Sequence, residues 1–191
     1  MSVQVSYKKQ FGLSILLFLI LLSAIEIILR VYDYYDPNCR FIESSVYAEI
    51  SFDLKREICK DNDKLVWNNN PLYLIPDQHF KTININSNSF RGDELQKNPD
   101  YRIFTIGGST MFGVGSTSDS TTISGFLQKK ISAQLSEYNI EVINAGIPKA
   151  YSLTEINLIK NKLLSYNPDL LIIYDGWNDL DRDYGYYYDT V

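Results

Sequence analysis

The most restrictive feature of the sequence is an uninterrupted apolar run at residues 11–29 (FGLSILLFLILLSAIEIIL), in which Glu26 is the single charged residue. A helix of this length is about 28 Å long, close to the thickness of a hydrocarbon core. The run therefore predicts a membrane-spanning helix. A cleaved signal peptide is the alternative, but it has a shorter apolar core that ends in a small-x-small cleavage site, and residues 21–24 (LLSA) lack that pattern.

Basic residues flank this run on both sides. Lys8 and Lys9 precede it, so the positive-inside rule predicts a short cytoplasmic N-terminus at residues 1–10. Arg30 and Arg40 follow the run and partly offset this bias. We expect a single-pass membrane protein whose remaining residues are extracytoplasmic, either in a periplasm or at a cell surface.

The charge of the expected exported part excludes one class of partner. Without the first thirty residues, the chain retains 15 basic and 22 acidic side chains, a formal charge of −7. Such a surface repels the phosphate backbone, and no basic patch with interleaved aromatic residues is present. We expect no binding of nucleic acid.

The two cysteines, Cys39 and Cys59, both lie in the expected exported part. In an oxidising compartment they either form a disulfide, which would add roughly 3 kcal/mol of stability, or remain as two free thiols, and sequence spacing leaves both alternatives open. A zinc site is not expected, because the chain has a single histidine and no Cys-x-x-Cys spacing. We expect no metal and no cofactor.

The pattern of the chain changes near residue 100. Residues 30–100 are irregular and rich in turn formers, which predicts a linker and lead-in segment. Residues 101–191 alternate short β-rich runs with helical periods and end in a tyrosine-rich stretch. The strands are expected at 102–106, 140–144 and 169–174, the last buried on both faces. The first helix is expected to bury Ile123, Phe126, Leu127, Ile131 and Leu135 along one face.

The second helix begins with a capping-box spacing, Ser152-Leu153-Thr154-Glu155. Strand, helix, strand, helix, strand with short connections predicts an α/β fold with a parallel sheet. Ligands bind beyond the carboxyl ends of the strands in such sheets, so the residues that follow each strand are the candidates for a site.

Three short motifs follow the three strands: Gly107-Gly108-Ser109-Thr110, Asn144-Ala145-Gly146 and Gly176-Trp177-Asn178-Asp179. Together they offer a hydroxyl nucleophile and the donors of an oxyanion hole, namely the N–H groups of Ser109 and Gly146 and the side-chain amide of Asn178. Each motif alone is also typical of a turn or a helix cap. A phosphate-binding loop is excluded, because no lysine follows the glycines at the required spacing.

These three motifs resemble the first three sequence blocks of the SGNH (GDSL-type) hydrolases, over about residues 84–180. The segment Asn88-Ser89-Phe90-Arg91-Gly92 is also similar to a lead-in found in many bacterial members. The resemblance implies that Ser109 is the nucleophile and that Ser109, Gly146 and Asn178 form the oxyanion hole. It also implies a flavodoxin-like, three-layer α/β/α sandwich around a parallel sheet, and the activity of an esterase, lipase, carbohydrate acetyl esterase or acyltransferase.

The sequence departs from the family pattern in two places. Pro148-Lys149-Ala150 stands where another glycine often follows Gly146, and the downstream Asp-x-x-His block that carries the general base is missing. We therefore expect residues 101–191 to be the N-terminal part of an incomplete catalytic domain, poorly active alone. His79, in the irregular lead-in, is the only other histidine base available, and a lone histidine in such a stretch is typically a surface residue.

Two classes of function follow from these observations. The first is a membrane-anchored ester hydrolase that acts on small esters or on acyl or acetyl groups of surface glycans, or, with a sugar hydroxyl in place of water, an O-acyltransferase. The second is an inactive, membrane-tethered protein for glycan binding or assembly, with Trp177 and Tyr184 stacking on sugars. Three strands leave an unpaired sheet edge, so we also expect aggregation or a partner chain that completes the sheet.

Overall fold

A long apolar helix begins the fold. The computed structural model describes residues 6–35 and 39–183, and helix α1 runs over Tyr7–Tyr35 with a mean hydropathy of 2.7 in its most apolar window. It is long and apolar enough to cross a membrane, and it extends beyond the predicted span at both ends. The one carboxylate within its apolar run, Glu26, forms an ion pair with Arg30 at 2.8 Å, which reduces the electrostatic obstacle to lipid contact.

The lead-in contains more regular structure than its sequence indicated. Helix α2 spans Phe52–Lys64, and two short antiparallel pairs follow: β1 (Trp67–Asn69) with β2 (Leu72–Leu74), and β3 (Gln78–His79) with β4 (Asn84–Ile85). The sequence pattern did not predict α2, because only a few of its residues are apolar. Its Ser51 N-cap accepts a hydrogen bond from the Leu54 N–H.

A disulfide ties this lead-in together. Cys39 and Cys59 are bonded with their Cα atoms 5.7 Å apart, so the disulfide is the right one of the two alternatives that the sequence left open. The bond links the segment that follows α1 to the middle of α2.

The parallel sheet has three strands in the order β6-β5-β7. Strand β5 (Tyr101–Gly107) is central and pairs with β6 (Ile140–Asn144) on one side and β7 (Leu170–Tyr174) on the other. The predicted alternation of strands and helices is confirmed, with boundaries that differ by one residue. The connections contain α3 (Ser109–Phe112), α4 (Ile123–Gln134) and α5 (Ser152–Asn161), and α6 (Trp177–Asp183) follows β7.

The core lies around β5, whose residues from Ile103 to its end are all buried. Phe104 packs edge-on against Phe90, which in turn contacts the Tyr166 ring, with centroids 5.3 and 5.4 Å apart. The next residue, Thr105, points to the opposite face and hydrogen bonds to Ser124 of α4 at 2.7 Å. Both faces of the central strand are therefore covered. The lead-in adds the buried side chains Leu65, Leu74, Ile83 and Ile85 to this core.

Strand β7 was expected to be buried on both faces, and that expectation is wrong. Among the described residues it lies at an edge of the sheet with β5 as its single neighbour, and the Ile173 side chain is 56% exposed. The predicted apolar face of α4 is likewise only half covered, since Leu127 and Ile131 are half-buried while Ile123, Phe126 and Leu135 are exposed.

Helix α5 begins differently from the prediction. Its N-cap is Tyr151, whose N–H donates to the Thr154 hydroxyl at 2.9 Å, so Thr154 rather than Glu155 closes the first turn. Glu155 points inward and is buried. The tyrosine-rich stretch at Tyr184, Tyr186, Tyr187 and Tyr188 lies outside the described residues.

Candidate functional site

The Ser109 turn lies at the C-terminal end of the central strand. Strand β5 ends at Gly107, Gly108 is the N-cap, and Ser109 is the first residue of α3. A Cβ atom at Gly107 would lie 2.3 Å from the Tyr174 carbonyl oxygen, so the backbone passes too close to β7 for a larger residue. Ser109 is half-buried at the sheet edge, where the first N–H groups of the helical turn have no partner within the helix.

Side chains from two other segments fix the short helix α3. The Asn144 amide donates to the carbonyl oxygens of Met111 and Phe112, both at 3.1 Å. The Arg91 guanidinium donates to Phe112 at 3.1 Å and to Gly113 at 2.9 Å. Side chains thus satisfy the carbonyl oxygens of Met111 and Phe112 at the end of α3, which holds Ser109 in place from the far end of its helix.

Arg91 is the most deeply buried cation of this region. Its side chain forms an ion pair with Asp119 at 2.7 Å and donates to the Thr82 carbonyl at 2.8 Å. The sequence placed Arg91 within a lead-in motif but did not reveal its function. The available signal in the sequence was an arginine in the middle of a phenylalanine-arginine-glycine motif. A guanidinium that becomes buried in the fold needs several hydrogen-bond acceptors.

Gly146 lies beneath α3 and away from the mouth of the site. Its N–H donates to the Asn144 side-chain oxygen at 3.0 Å, and a Cβ atom there would lie 2.3 Å from the Phe112 backbone nitrogen. The glycine is therefore required for close packing of two backbone segments. The N–H group that the sequence offered to an oxyanion already has a partner in this structure.

Asn178 is brought to the Ser109 turn. It is the second residue of α6, and its side-chain amide donates to the Ala150 carbonyl oxygen at 2.5 Å. A Cβ atom at Gly108 would lie 2.5 Å from the same amide nitrogen, which places Asn178 directly over the turn that precedes Ser109. An amide carries two N–H groups, so one remains for a ligand.

The turn at residues 147–150 completes this edge of the site. The Ala150 N–H donates to the Ile147 carbonyl oxygen at 3.0 Å, and Lys149 has a φ of 70°. This left-handed conformation is one that glycine adopts most easily. Within the part of the chain that the structure describes, no hydrogen bond engages the Lys149 N–H.

Two clefts meet at Ser109 and Thr110. The first, of about 380 Å³, extends toward β7 and α6 and is also lined by Tyr174, Asp175, Trp177 and Asn178. The second, of about 420 Å³, extends toward α4 and is lined largely by apolar groups, among them Val114, Ile123 and Phe126. The hydroxyl-bearing turn therefore separates a cleft with polar side chains from a mainly apolar one.

A cluster of carboxyl groups lies behind the Asn178 turn. Glu155 is 3% exposed, and Asp179 accepts a hydrogen bond from the Ser152 N–H at 3.2 Å. Burial, followed by the charge of Asp175 and a hydrogen bond to it, raises the pKa of the Glu155 carboxyl to about 8. Burial also raises the pKa of Asp175. Near pH 7 the Glu155 carboxyl is therefore mostly protonated, and its Oε1 atom is buried without a hydrogen-bond partner in the part of the chain that the structure describes.

No histidine accompanies the serine among residues 6–35 and 39–183. His79 is exposed in β3, where its Nδ1 contacts the Asn84 side chain, and no hydrogen bond joins it to Ser109. In the same range, no group of three or more His, Cys, Asp or Glu side chains is placed to hold a metal ion. The cleft beside β7 thus brings together the Ser109 hydroxyl, the Asn178 amide and the Asp175 carboxylate.

Comparison with known proteins finds similarity over only part of this chain. No protein-family model matches this chain, and no curated protein sequence matches it. Among solved structures, the crystal structure of AlinE4, an SGNH-hydrolase family esterase, is similar, with 25% sequence identity and a TM-score of 0.40. The match covers 47% of this chain and 47% of AlinE4, so this chain spans about half the length of that esterase. The assignment of a function therefore depends on the residues of the site itself.

Proposed function

We propose that this protein is a membrane-anchored, extracytoplasmic serine ester hydrolase of the SGNH type. The observation that carries the proposal is the convergence of Ser109 and Asn178 on one cleft at the carboxyl ends of two adjacent parallel strands. The order of the sequence motifs that contain these residues supports the same assignment. A nucleophile alone, or an amide alone, is also typical of a helix cap, but a cap does not require both to line one cleft.

The proposed reaction is acyl transfer through Ser109. Its hydroxyl oxygen attacks the ester carbonyl carbon while a general base takes the proton, and the carbonyl oxygen becomes an oxyanion. The Ser109 N–H and the free N–H of the Asn178 amide donate to that oxyanion. The alcohol leaves with the proton from the base, and water then attacks the acyl-serine and releases the carboxylic acid.

A third oxyanion donor is proposed at Lys149 instead of Gly146. The Gly146 N–H already donates to Asn144, whereas the Lys149 N–H makes no hydrogen bond within the described residues. Lys149 precedes Ala150, whose carbonyl oxygen is the acceptor for the Asn178 amide. The left-handed backbone at Lys149 belongs to a turn that lies against Gly108, since a Cβ atom at Gly108 would be 3.3 Å from the Ala150 carbonyl oxygen.

The two clefts suggest how an ester would bind. The mainly apolar cleft beside Val114 and Phe126 suits a short acyl chain, and the more polar cleft beside Asp175 and Trp177 suits an alcohol with hydroxyl groups. We therefore propose acylated or acetylated carbohydrates of a cell surface, or similar small esters, as substrates. If a sugar hydroxyl replaces water in the second step, the same residues carry out O-acyl transfer.

The proposed reaction takes its base from an Asp-x-x-His segment, as the family resemblance implies. No histidine among the described residues reaches Ser109. A serine hydroxyl without a base is a weak nucleophile near pH 7, and loss of triad members lowers rates by several powers of ten. We accordingly propose that Ser109 has little activity without such a base.

The proposed location outside the cytoplasm has two supports. Helix α1 is long and apolar enough to act as an anchor, and Lys8 and Lys9 precede its apolar run. The disulfide between Cys39 and Cys59 is of a kind that persists in oxidising compartments.

We further propose that a fourth strand pairs with the free edge of β7 and extends the fold into the three-layer sandwich of the family. Leu170, Ile173 and Tyr174 are exposed along β7, and an open apolar edge of this kind favours aggregation. A partner chain, or a further segment of the same polypeptide, would supply the strand.

Imidazole in solution tests the proposal, because it substitutes for the missing base. The full chain in detergent is treated with p-nitrophenyl acetate in excess imidazole, and acetylation of the protein is followed by mass spectrometry. We expect an acetyl group on Ser109 that is absent in Ser109→Ala and retained in the control Ser152→Ala, which changes an exposed serine outside both clefts. An acetylation level that Ser109→Ala does not reduce would contradict the proposed nucleophile.

A non-catalytic glycan-binding protein is the second candidate. It is favoured by the absence of a histidine beside Ser109 among the described residues and by Trp177, which lines the polar cleft with 81% of its surface exposed. Aromatic side chains in this position stack on sugar rings. Quenching of Trp177 fluorescence by acetylated oligosaccharides, together with no acetylation of Ser109 in imidazole, would favour this candidate over the hydrolase.

A further inference from the structure

A second cleft with polar walls lies where the end of α1 meets α2. It has a volume of about 680 Å³ and is lined by Arg30, Asp33 and Tyr34 from α1 and by Arg56, Lys60 and Asp63 from α2. The two helices are held together here by aromatic contacts, since the Tyr34 and Tyr35 rings lie 6.1 and 6.4 Å from the Phe52 ring. The cleft is remote in sequence from the Ser109 site and shares no lining residue with it.

Arg56 is the unusual residue of this cleft. Its guanidinium carbon lies 4.2 Å from the centre of the Tyr34 ring, and its Nη1 atom is buried without a hydrogen-bond partner. No carboxylate lies within ion-pair distance of Arg56 in the part of the chain that the structure describes. A buried donor without an acceptor is unfavourable by about 1–3 kcal/mol, and by more when it is charged, so an acceptor beyond the described residues would stabilise Arg56 in this position.

The other charged residues of the cleft indicate which kind of ligand would carry that acceptor. Arg30 already pairs with Glu26 at 2.8 Å, and the Lys60 ammonium lies 3.9 Å from Glu57, which leaves it available. Asp33 and Asp63 also line the cleft and make no ion pair among the described residues. A simple anion would bind the cations but would also be repelled by these two carboxylates. A ligand with one phosphate and one amine would pair its phosphate with the cations and its ammonium group with the carboxylates.

The position of the cleft along α1 indicates which molecule would supply such a ligand. Arg30 is the first residue after the apolar run at 11–29, and Asp33 and Tyr34 are within one further turn. In a membrane this level corresponds to the layer of lipid headgroups, where arginine and tyrosine side chains are typical anchors. The cleft therefore opens at the position where phospholipid headgroups are concentrated.

We propose that this cleft binds the headgroup of a phosphatidylethanolamine lipid. The Arg56 guanidinium, assisted by Lys60, donates to the phosphate oxygens, and the carboxylates of Asp33 and Asp63 accept from the ammonium group. The lipid fixes α2 against the end of α1 and so sets the orientation of the exported domain on the membrane. This inference rests on the proposed anchoring by α1 and is independent of ester hydrolysis.

The test uses thermal unfolding of the full chain in an uncharged maltoside detergent. We expect short-chain phosphatidylethanolamine to raise the melting temperature by several degrees, and phosphatidylcholine, whose quaternary ammonium has no N–H, to raise it less. Inorganic phosphate at the same concentration is expected to have no effect. Arg56→Gln is expected to lose the response, while the control Lys64→Gln, which removes an exposed charge at the end of the same helix, retains it.

A second variant keeps the inference testable if Arg56→Gln does not fold. Asp63 is exposed, so Asp63→Asn leaves the packing of α2 intact, and it is expected to reduce the difference between ethanolamine and choline lipids. Equal shifts with inorganic phosphate, an unchanged response in Arg56→Gln, or no lipid response in the intact chain would each overturn the lipid site alone. A mature protein whose mass lacks the first thirty residues would overturn the anchor as well.

Discussion

Arg91 donates a hydrogen bond from its Nη1 atom to the carbonyl oxygen of Gly113 at 2.9 Å, across 22 positions of sequence. Gly113 ends the short helix that Ser109 begins, with a φ of 90°. The lead-in segment therefore contributes directly to the position of the proposed nucleophile. The four residues of α3 are too few to form a stable helix alone, so this long-range contact replaces the stabilisation that a longer helix would provide.

The first prediction concerns this contact. Arg91→Lys keeps the charge but removes the planar guanidinium. That group reaches Asp119 and the carbonyl oxygens of Thr82, Phe112 and Gly113. Because several buried acceptors lose their donor, we expect a loss of about 3 kcal/mol in the free energy of unfolding. Chemical denaturation measures it, with exposed Lys81→Gln as the control. A loss below about 0.5 kcal/mol would contradict the role assigned to Arg91.

The second prediction concerns the oxyanion donors. Asn178→Ala is expected to lower the rate of Ser109 acetylation in imidazole by about 10²–10³-fold, as the loss of one oxyanion-hole donor typically does. Asn161→Ala, which changes an exposed amide at the end of α5, serves as the control. If Asn178→Ala reacts within about threefold of the wild type, the Asn178 amide does not stabilise the oxyanion.

The third prediction concerns Glu155 and the dependence of stability on pH. Its pKa is about 8 in the fold, because of burial and of Asp175, against an ordinary value of 4.5. The protonated carboxyl therefore contributes stability that is complete below pH 4.5 and is lost as the pH rises through about 8. Glu155→Gln mimics the protonated form, so the variant is expected to equal the wild type near pH 5 and to exceed it at higher pH.

Near pH 8, the free energy of unfolding of Glu155→Gln is expected to exceed that of the wild type by about 2 kcal/mol. This figure is reduced to allow for solvent screening around the two carboxyl groups. Urea denaturation at several pH values measures it. Parallel curves for the wild type and Glu155→Gln across this range would show that Glu155 does not hold a proton in the folded protein.

The fourth prediction concerns the disulfide. Cys39 and Cys59 close a loop with a sequence separation of 20, and in the chain-entropy model this bond adds roughly 3 kcal/mol. The double variant Cys39→Ser, Cys59→Ser is expected to lower the melting temperature by several degrees and to remove the effect of reducing agent on the wild type. If the reducing agent leaves the melting temperature of the wild type unchanged, the bond does not form in the protein.

The sequence predicted the alternation of strands and helices well, because the apolar periods after residue 100 are regular and strongly local. It also identified Ser109 and Asn178 as side chains that would meet, since both follow parallel strands. Helix α2 was missed because its residues are mostly polar, so its narrow apolar face, which includes Ile58 and Cys59, was not recognised within a turn-rich stretch. Its buried residues contact the lead-in, and such tertiary contacts override weak local patterns.

The roles of Gly146 and Glu155 were not readable from local sequence. Gly146 follows a strand, as an oxyanion donor would, but the nearer partner for its N–H is the Asn144 side chain, and only the packed structure reveals that competition. Glu155 occupied a capping position in the motif, yet its side chain is buried beside Asp175. In both cases a partner distant from the motif itself decides the role.

The two clefts that meet at Ser109 and Thr110 have a consequence for how selectivity would change in evolution. Phe126 and Val114 line one cleft, while Trp177 and Asp175 line the other, and these pairs come from different parts of the chain. A substitution that enlarges the space for one half of an ester leaves the surface that meets the other half untouched. In the proposed hydrolase, preference for the acid and preference for the alcohol would thus be separately adjustable traits, each open to drift or selection without disturbing the other.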